Sequence, residues 1–92
     1  MVKEVHLSHI LVKSEDKAKE VLGKIQAGQP FEKLAMECSL CPSKKRGGDL
    51  GWFTRGKMVR EFENAAFNLK KGELCITKTQ FGWHVIKKTE EK

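Results

Sequence analysis

The feature that most constrains this chain is an irregular stretch in its middle, residues 39–62, which reads SLCPSKKRGGDLGWFTRGKMVREF. In so short a chain, irregular backbone of that length is either functional or disordered. Its apolar content argues against disorder, and the residues concerned are Leu50, Trp52, Phe53, Met58, Val59 and Phe62. We therefore interpret the stretch as the floor and rim of a pocket. Two other segments are expected to close over it, SHILVK near the start and TQFGWHVIK near the end.

The composition predicts one small globular domain that covers residues 1–92. Hydrophobic residues make up 39% of the chain and charged residues 33%, which suits a soluble domain. No apolar run is long enough to span a membrane, and no signal peptide opens the chain at Met1. Three cysteines are an odd number, and reduced thiols are the simplest explanation. We expect a cytoplasmic monomer without a membrane partner.

The net charge of +6 permits attraction to nucleic acid or to acidic proteins. A solvated, lysine-rich surface is the interpretation we favour, with nucleic-acid binding as the alternative. The densest basic cluster is Lys44, Lys45 and Arg46, which lies inside the central stretch. We expect it to stand at the edge of the pocket and to favour acidic residues in whatever the pocket binds.

The order of predicted elements indicates an α+β fold. Residues 5–12 form an apolar strand without Gly or Pro, with apolar residues on both faces, so it is expected at the centre of a sheet. Ser14 caps a helix that Gly28 ends, and Pro30 starts a second helix. The remaining elements are a helical turn at Cys41-Pro42, a short strand through Trp52 and Phe53, a helix over 59–69, and strands over 74–78 and 83–88. The last two form an antiparallel hairpin, and the grouped helices exclude a doubly wound sheet.

Two pairs of residues raise the question of a metal site: Cys38 with Cys41, and His6 with His9. Residues three apart on a strand point to opposite faces, so the two histidines are poorly placed to share one metal. Cys38 also fits the buried stripe of its helix. A thioredoxin-like redox pair is disfavoured as well, because that motif belongs at a helix start.

The glycine-rich run 47–51 lacks the spacing of a phosphate-binding loop, and a tight turn with positive φ explains it better. From the residues alone, Cys41 with His9 or His84 could be a thiol nucleophile and its base. A histidine on a strand is more often structural, so both interpretations stay open at this point.

Several blocks together resemble the parvulin family of peptidyl-prolyl cis/trans isomerases. They are SHILVK, F-x-K-L-A, S-x-C-P-S-x-K-R-G-G-D-L-G-W-F, R-G-x-M-V-x-x-F-E-x-A-A-F and F-G-W-H-V-I-K, in the family's order. They cover residues 5–88, and the chain is similar to a stand-alone small parvulin. The resemblance implies a four-stranded antiparallel sheet surrounded by four helices, in the order β-α3-β-α-β2.

The resemblance also implies a site. Its polar residues would be His9 and His84, facing each other from neighbouring strands, with Cys41 and Thr79 beside them. The proline pocket would consist of Leu50, Met58 and Phe62, with Phe53 and Phe81 as walls. The substrates would be proline-containing peptides and unfolded proteins.

The implied reaction needs neither cofactor nor metal. Rotation about a peptide bond faces a barrier of ~18–20 kcal/mol because resonance is lost, and no bond is broken. The site has to grip the proline ring and favour the twisted amide. The phosphorylation-directed members carry a long basic loop after the first strand, whereas this chain has Lys13-Ser14-Glu15-Asp16. We therefore expect a general isomerase that assists folding, with a non-catalytic peptide-binding or chaperone module as the alternative.

Overall fold

The computed structural model describes residues 2–92 as a four-stranded sheet with helices on both faces. The strands are β1 (Glu4–Val12), β2 (Asp49–Thr54), β3 (Leu74–Thr79) and β4 (Gly82–Glu91). The helices are α1 (Glu15–Gln26), α2 (Phe31–Cys38) and α3 (Arg60–Asn68), and a 3-10 turn spans Pro42–Arg46. The predicted α+β class, the antiparallel sheet and the four helical segments are confirmed. Within residues 2–92, no helix is long and apolar enough to cross a membrane.

The strands lie in the order β2-β1-β4-β3, and every neighbouring pair is antiparallel. β1 is therefore central, as its two apolar faces predict. On one face, Val5 and Leu7 pack in a cluster with residues of α3. On the other, Ile10 and Val12 pack in a cluster with residues of α1 and α2. The site described below lies on the α3 face.

Several predicted boundaries were wrong by a few residues, for identifiable reasons. β4 continues past Lys88 because its last residues pair with the start of β1, and Lys92 N–H donates to the Glu4 carbonyl at 3.0 Å. β2 is longer than Trp52–Phe53 for the same reason, since β1 pairs with it from Thr54 back to Asp49. Pro30 precedes the first residue of α2 with an extended ψ of 131° and does not occupy the first helical position.

Gly48 brings the central stretch against β1. Its φ is +87°, and a Cβ atom added there would meet the His9 carbonyl oxygen at 2.5 Å. The His9 N–H donates to the Gly48 carbonyl at 2.9 Å. The prediction of a tight turn with positive φ is confirmed, and the turn anchors the central stretch at the strand that carries His9.

Candidate active site

Two buried histidines from neighbouring strands form the centre of the site. His9 lies on β1 and His84 on β4, where the register pairs Leu11 with His84 and so places His9 diagonally across. The two rings stack at 5.1 Å with an interplanar angle of 18°, and their Nδ1 atoms are 3.0 Å apart. Both side chains are almost fully removed from solvent, with 5% and 4% exposure.

Thr79 extends this pair into a hydrogen-bonded chain. Its Oγ1 lies 2.7 Å from His84 Nε2 and also accepts the Phe81 N–H at 3.2 Å. If the Thr79 hydroxyl donates to His84 Nε2, the His84 proton must be on Nδ1, from which it donates to His9 Nδ1. His9 Nε2 is then the ring nitrogen of this hydrogen-bonded chain that has no partner among the described residues. The opposite direction would also leave the Thr79 proton without an acceptor. Since an unmet buried polar group costs ~1–3 kcal/mol, the first direction is favoured.

Burial keeps the histidine pair uncharged. It lowers the pKa of His9 from 6.5 to about 4, with repulsion from His84 as the smaller cause. It lowers the pKa of His84 as well. At neutral pH the two rings are therefore neutral hydrogen-bonding groups, suited to orienting a carbonyl but not to holding an anion.

A small apolar cavity of about 210 Å³ opens beside the two histidines. Its walls contain all five residues predicted to bind proline, together with Val59. The full lining is His9, Leu50, Phe53, Met58, Val59, Phe62, Phe81 and His84. Phe62 meets the His9 and His84 rings edge-on at 5.6 and 5.1 Å. From the sequence, Val59 was expected among the apolar residues of the central stretch and at the start of a helix, but not among the proline-binding residues. Its place three residues before Phe62 was the available signal, because such residues share a helix face.

Cys41, the fourth polar residue predicted for the site, lies in the loop before the 3-10 turn and is outside the set of described residues that line the cavity. Its backbone N–H donates to Ser39 Oγ at 3.3 Å. Ser39 Oγ also accepts the Leu11 N–H at 3.1 Å, so this hydroxyl ties the loop to β1. Within residues 2–92, no hydrogen bond joins the half-buried Cys41 thiol to His9 or His84. The structure thus brings Thr79 and the histidines into contact and leaves Cys41 outside that network; Ser39 was not singled out in the sequence.

The basic cluster Lys44, Lys45 and Arg46 is fully exposed in the last turn of the 3-10 segment. All three residues lie outside the set of described residues that line the cavity. Their predicted place at its edge and their preference for acidic peptides stay predictions.

His6 and His9 face opposite sides of β1, as the strand argument predicts. His6 Nδ1 is 2.5 Å from Thr89 Oγ1, and His6 Nε2 is 3.5 Å from Asp49 Oδ1. Among the described residues, no group of three or more His, Cys, Asp or Glu side chains could hold a metal ion.

Comparison with known proteins gives consistent matches. The family model described as the PPIC-type PPIase domain matches residues 1–92. The foldase protein PrsA of Geobacillus kaustophilus is 53% identical over 91 residues, which are 97% of this chain and 32% of that protein. The chain therefore spans about a third of the length of this curated relative.

Two solved structures share the architecture. The crystal structure of the peptidylprolyl isomerase PrsA from Bacillus anthracis superposes with a TM-score of 0.96 at 44% identity, over 99% of this chain and 43% of that one. The solution structure of NmPin, the parvulin of Nitrosopumilus maritimus, gives a TM-score of 0.88 at 42% identity, over 96% and 97% of the two chains.

Proposed function

This chain belongs to the PPIC-type peptidyl-prolyl isomerase family, the parvulins, and we propose that it acts as a general folding isomerase on unphosphorylated X-Pro bonds. The observation that carries the proposal is the small apolar cavity beside two neutral, mutually hydrogen-bonded histidines. At about 210 Å³ it is smaller than the ~300–1,000 Å³ typical of sites for drug-sized ligands. It suits a single apolar ring.

The geometry suggests how rotation would be favoured. The planar amide is polar because of resonance, and water stabilises it; twisting the bond removes that resonance. When the cavity holds the proline ring, the neighbouring peptide bond loses part of its water. The side chains that replace this water are apolar or neutral, so the planar form gains little from them. The planar form is thus destabilised more than the twisted form, and this difference lowers the barrier to rotation about the X-Pro bond.

The histidine chain would supply orientation. The Phe81 N–H donates to Thr79 Oγ1, Thr79 holds His84, and His84 in turn holds His9. His9 Nε2 is then the polar atom left without a partner in the wall of the cavity. A small shift of the ring on peptide binding would let it donate to the substrate carbonyl.

The start of α1 supports the proposal that phosphorylation is not required. Only Lys13 and Ser14 separate β1 from α1, and Ser14 Oγ accepts the Lys17 N–H at 3.2 Å as a helix cap. Glu15 and Asp16 follow in the first turn and are exposed. A phosphate at this place would meet two carboxylates.

The test is exchange spectroscopy by NMR on matched tetrapeptides with Ala-Pro, Ser-Pro and phosphoserine-Pro bonds. We expect accelerated exchange for the first two and no preference for the third. No acceleration at micromolar protein would overturn the enzymatic proposal and leave a peptide-binding module. A strong preference for phosphoserine would overturn only the specificity.

We also propose that the protein is a monomer and is located in the cytoplasm. Three free thiols suit a reducing compartment, and burial raises the pKa of the Cys75 thiol, which lowers its reactivity. One solved chain, which belongs to one of two SurA-like chaperones of Campylobacter jejuni, has a similar fold, with a TM-score of 0.93 at 39% identity. One of those two chaperones is a periplasmic protein, so location needs its own test. Cell fractionation and sedimentation of the purified protein would provide it; recovery outside the cytoplasm or as a dimer would overturn this part.

A further inference from the structure

A second and larger cavity lies at the end of β2. Its volume is about 430 Å³, and it is lined by Glu4, Trp52, Phe53, Thr54 and Lys57. β2 is an edge strand in the order β2-β1-β4-β3, so no strand of this sheet covers its outer side. An incoming chain could therefore approach this cavity directly.

The two cavities meet at the edge strand β2 but lie on different faces of the sheet, because Trp52 pairs with His6 and His6 points away from His9. Phe53 belongs to the lining of both. Lys57 lines the larger cavity, and the next residue, Met58, lines the smaller one. Each extended residue of a peptide covers ~3.3–3.6 Å. A peptide whose proline occupies the smaller cavity would thus reach the larger one by passing round the exposed outer edge of β2, over a few extended residues.

Trp52 gives the larger cavity an aromatic wall that is already held in place. Its side chain is 42% exposed and so is accessible to a ligand. The His6 ring meets the Trp52 ring edge-on at 5.3 Å, and Lys92 Nζ lies 4.5 Å from the ring centre. Because these contacts already restrict the ring, an apolar side chain could pack against it at a low cost in entropy.

The charges around the cavity are only partly balanced. The Glu4 carboxylate lies 3.7 Å from Lys92 Nζ and so has a cationic partner. Lys57 is exposed and forms no ion pair with any carboxylate of the described residues. An occupant with a carboxylate next to its apolar side chain would complement this arrangement.

We infer that the larger cavity is a second subsite for the same substrate chain. It takes an aromatic or large aliphatic side chain a few residues from the proline, with an acidic neighbour that faces Lys57. This inference rests on the proposed function, because the proline in the smaller cavity sets the position of the peptide.

The experiment compares peptides with one Ala-Pro bond that carry either Phe-Glu or Ala-Ala two to four residues from the proline, on either side. Exchange spectroscopy gives kcat/KM without an auxiliary protease. We expect about a tenfold advantage for the best Phe-Glu peptide, as partial burial of one aromatic side chain implies. Trp52→Ala should remove most of it, and Lys57→Glu should reduce it. The matched controls Met36→Ala and Lys33→Glu change exposed residues outside both cavities and should keep it.

Each other outcome is informative. If the Ala-Ala peptide is isomerised and Phe-Glu brings no advantage on either side, this inference is overturned and the proposed function stands. If no peptide is isomerised, both fall together. An advantage that survives in both Trp52→Ala and Lys57→Glu proteins, each folded by circular dichroism, would assign the preference to another surface. Self-association that Trp52→Ala abolishes would make the cavity a contact between copies of this chain, which also overturns the inference.

Discussion

His9, Thr79 and His84 reach the site from β-strands, whereas Cys41 and its basic neighbours lie on a loop and a 3-10 turn, outside the residues that line the cavity. We call His9, Thr79 and His84 the sheet half of the site. These three residues are buried and are joined by direct hydrogen bonds of 2.7 and 3.0 Å. The second group, the loop half (Cys41, Lys44, Lys45 and Arg46), is half-buried or exposed. The difference suggests that the sheet half sets the geometry of the reaction and that the loop half adjusts the affinity for particular peptides.

Replacing Phe62 should have the largest effect, because this ring joins the sheet half to the proline cavity. Phe62→Ala removes a buried ring, only 5% exposed, that touches both histidines. We expect a loss of about 3–5 kcal/mol in unfolding free energy and a loss of turnover. Phe67→Ala is the matched control on α3, since Phe67 is half-buried, stacks with Arg55 at 4.3 Å and lies outside the cavity lining. Urea unfolding and NMR exchange measure both; a folded Phe62→Ala protein with full turnover would contradict the proposed site.

The second prediction concerns pH. The pKa of His9 is about 4 in the folded protein and near 6.5 when unfolded. Between these values the unfolded chain binds more protons than the folded protein. The free energy of unfolding is therefore highest above pH 6.5 and falls as the pH drops towards 4. We expect His9 to account for about 3 kcal/mol of this loss, with His84 acting in the same direction.

The measurement is urea unfolding from pH 7.5 to pH 4, with His9→Gln as the control. Carboxylates also titrate in this range, so the comparison uses the difference in slope between the two proteins. His9→Gln should be less sensitive to pH than the wild type. Equal slopes would show that His9 is not held neutral by burial. Turnover of the folded wild type should stay level from pH 8 to about 7, because burial lowers the pKa of both histidines below the ordinary value of 6.5.

Lys88 provides a third test of the sheet half. It is 1% exposed, its Nζ donates to the Leu69 carbonyl at 2.8 Å, and it pairs with Glu91. It thereby joins the end of α3, which carries Phe62, to β4, which carries His84. Lys88→Met should cost about 1–3 kcal/mol, because the Leu69 carbonyl loses its donor. Lys87→Met, on the opposite face of β4, is the control; an equal loss in both would mean that the buried contact contributes nothing specific.

The same two halves differ in how far sequence could predict them. The face of β1 that carries His9, and its separation from His6, followed from the alternation of strand side chains. The pairing of His9 with His84 came only from family resemblance, because strand register depends on contacts between residues 75 apart. For the same reason the ends of β2 and β4 were missed, since those residues are held by distant partners and not by local pattern.

Side-chain packing was the second feature that could not be fully predicted from the sequence. The predicted proline-binding residues do share one cavity, but the larger cavity around Trp52 depends on how side chains meet across elements. No local pattern encodes that. The separation of Cys41 from the histidine chain was also beyond prediction, because the loop that carries it is held by Ser39 Oγ, which accepts the N–H groups of Leu11 and Cys41.

The fourth prediction tests whether Cys41 is a nucleophile. Isomerisation requires a twisted amide and no acyl-enzyme, and the thiol lacks a hydrogen bond to either histidine within the described residues. Cys41→Asp should fold and keep a measurable share of turnover. Mass spectrometry of the wild type with substrate should show no adduct. A folded, peptide-binding and wholly inactive Cys41→Asp protein would show that the loop half takes part in the chemistry, which would remove the distinction between the two halves.

The smallest expected effect concerns the exposed basic residues of the loop half. Reversing their charge to Glu should lower kcat/KM for a peptide with an acidic residue beside proline, about threefold or less, because exposed ion pairs contribute only ~0–1 kcal/mol. The difference should vanish at 1 M salt, where the Debye length falls to about 3 Å. The three changed residues are Lys44, Lys45 and Arg46. A control protein with the same change in net charge alters three exposed lysines elsewhere in the chain: Lys3, Lys13 and Lys33.

If both triple variants lower kcat/KM equally, the effect comes from the net charge of +6 and not from the loop half. If neither does, these residues have no part in peptide selection. A DNA titration over a salt series addresses the remaining alternative, because phosphate contacts give an affinity that falls steeply with salt. Tight binding with such a slope, lost only when Lys44, Lys45 and Arg46 are reversed, would make the loop half a nucleic-acid surface beside an isomerase site that the sheet half forms without it.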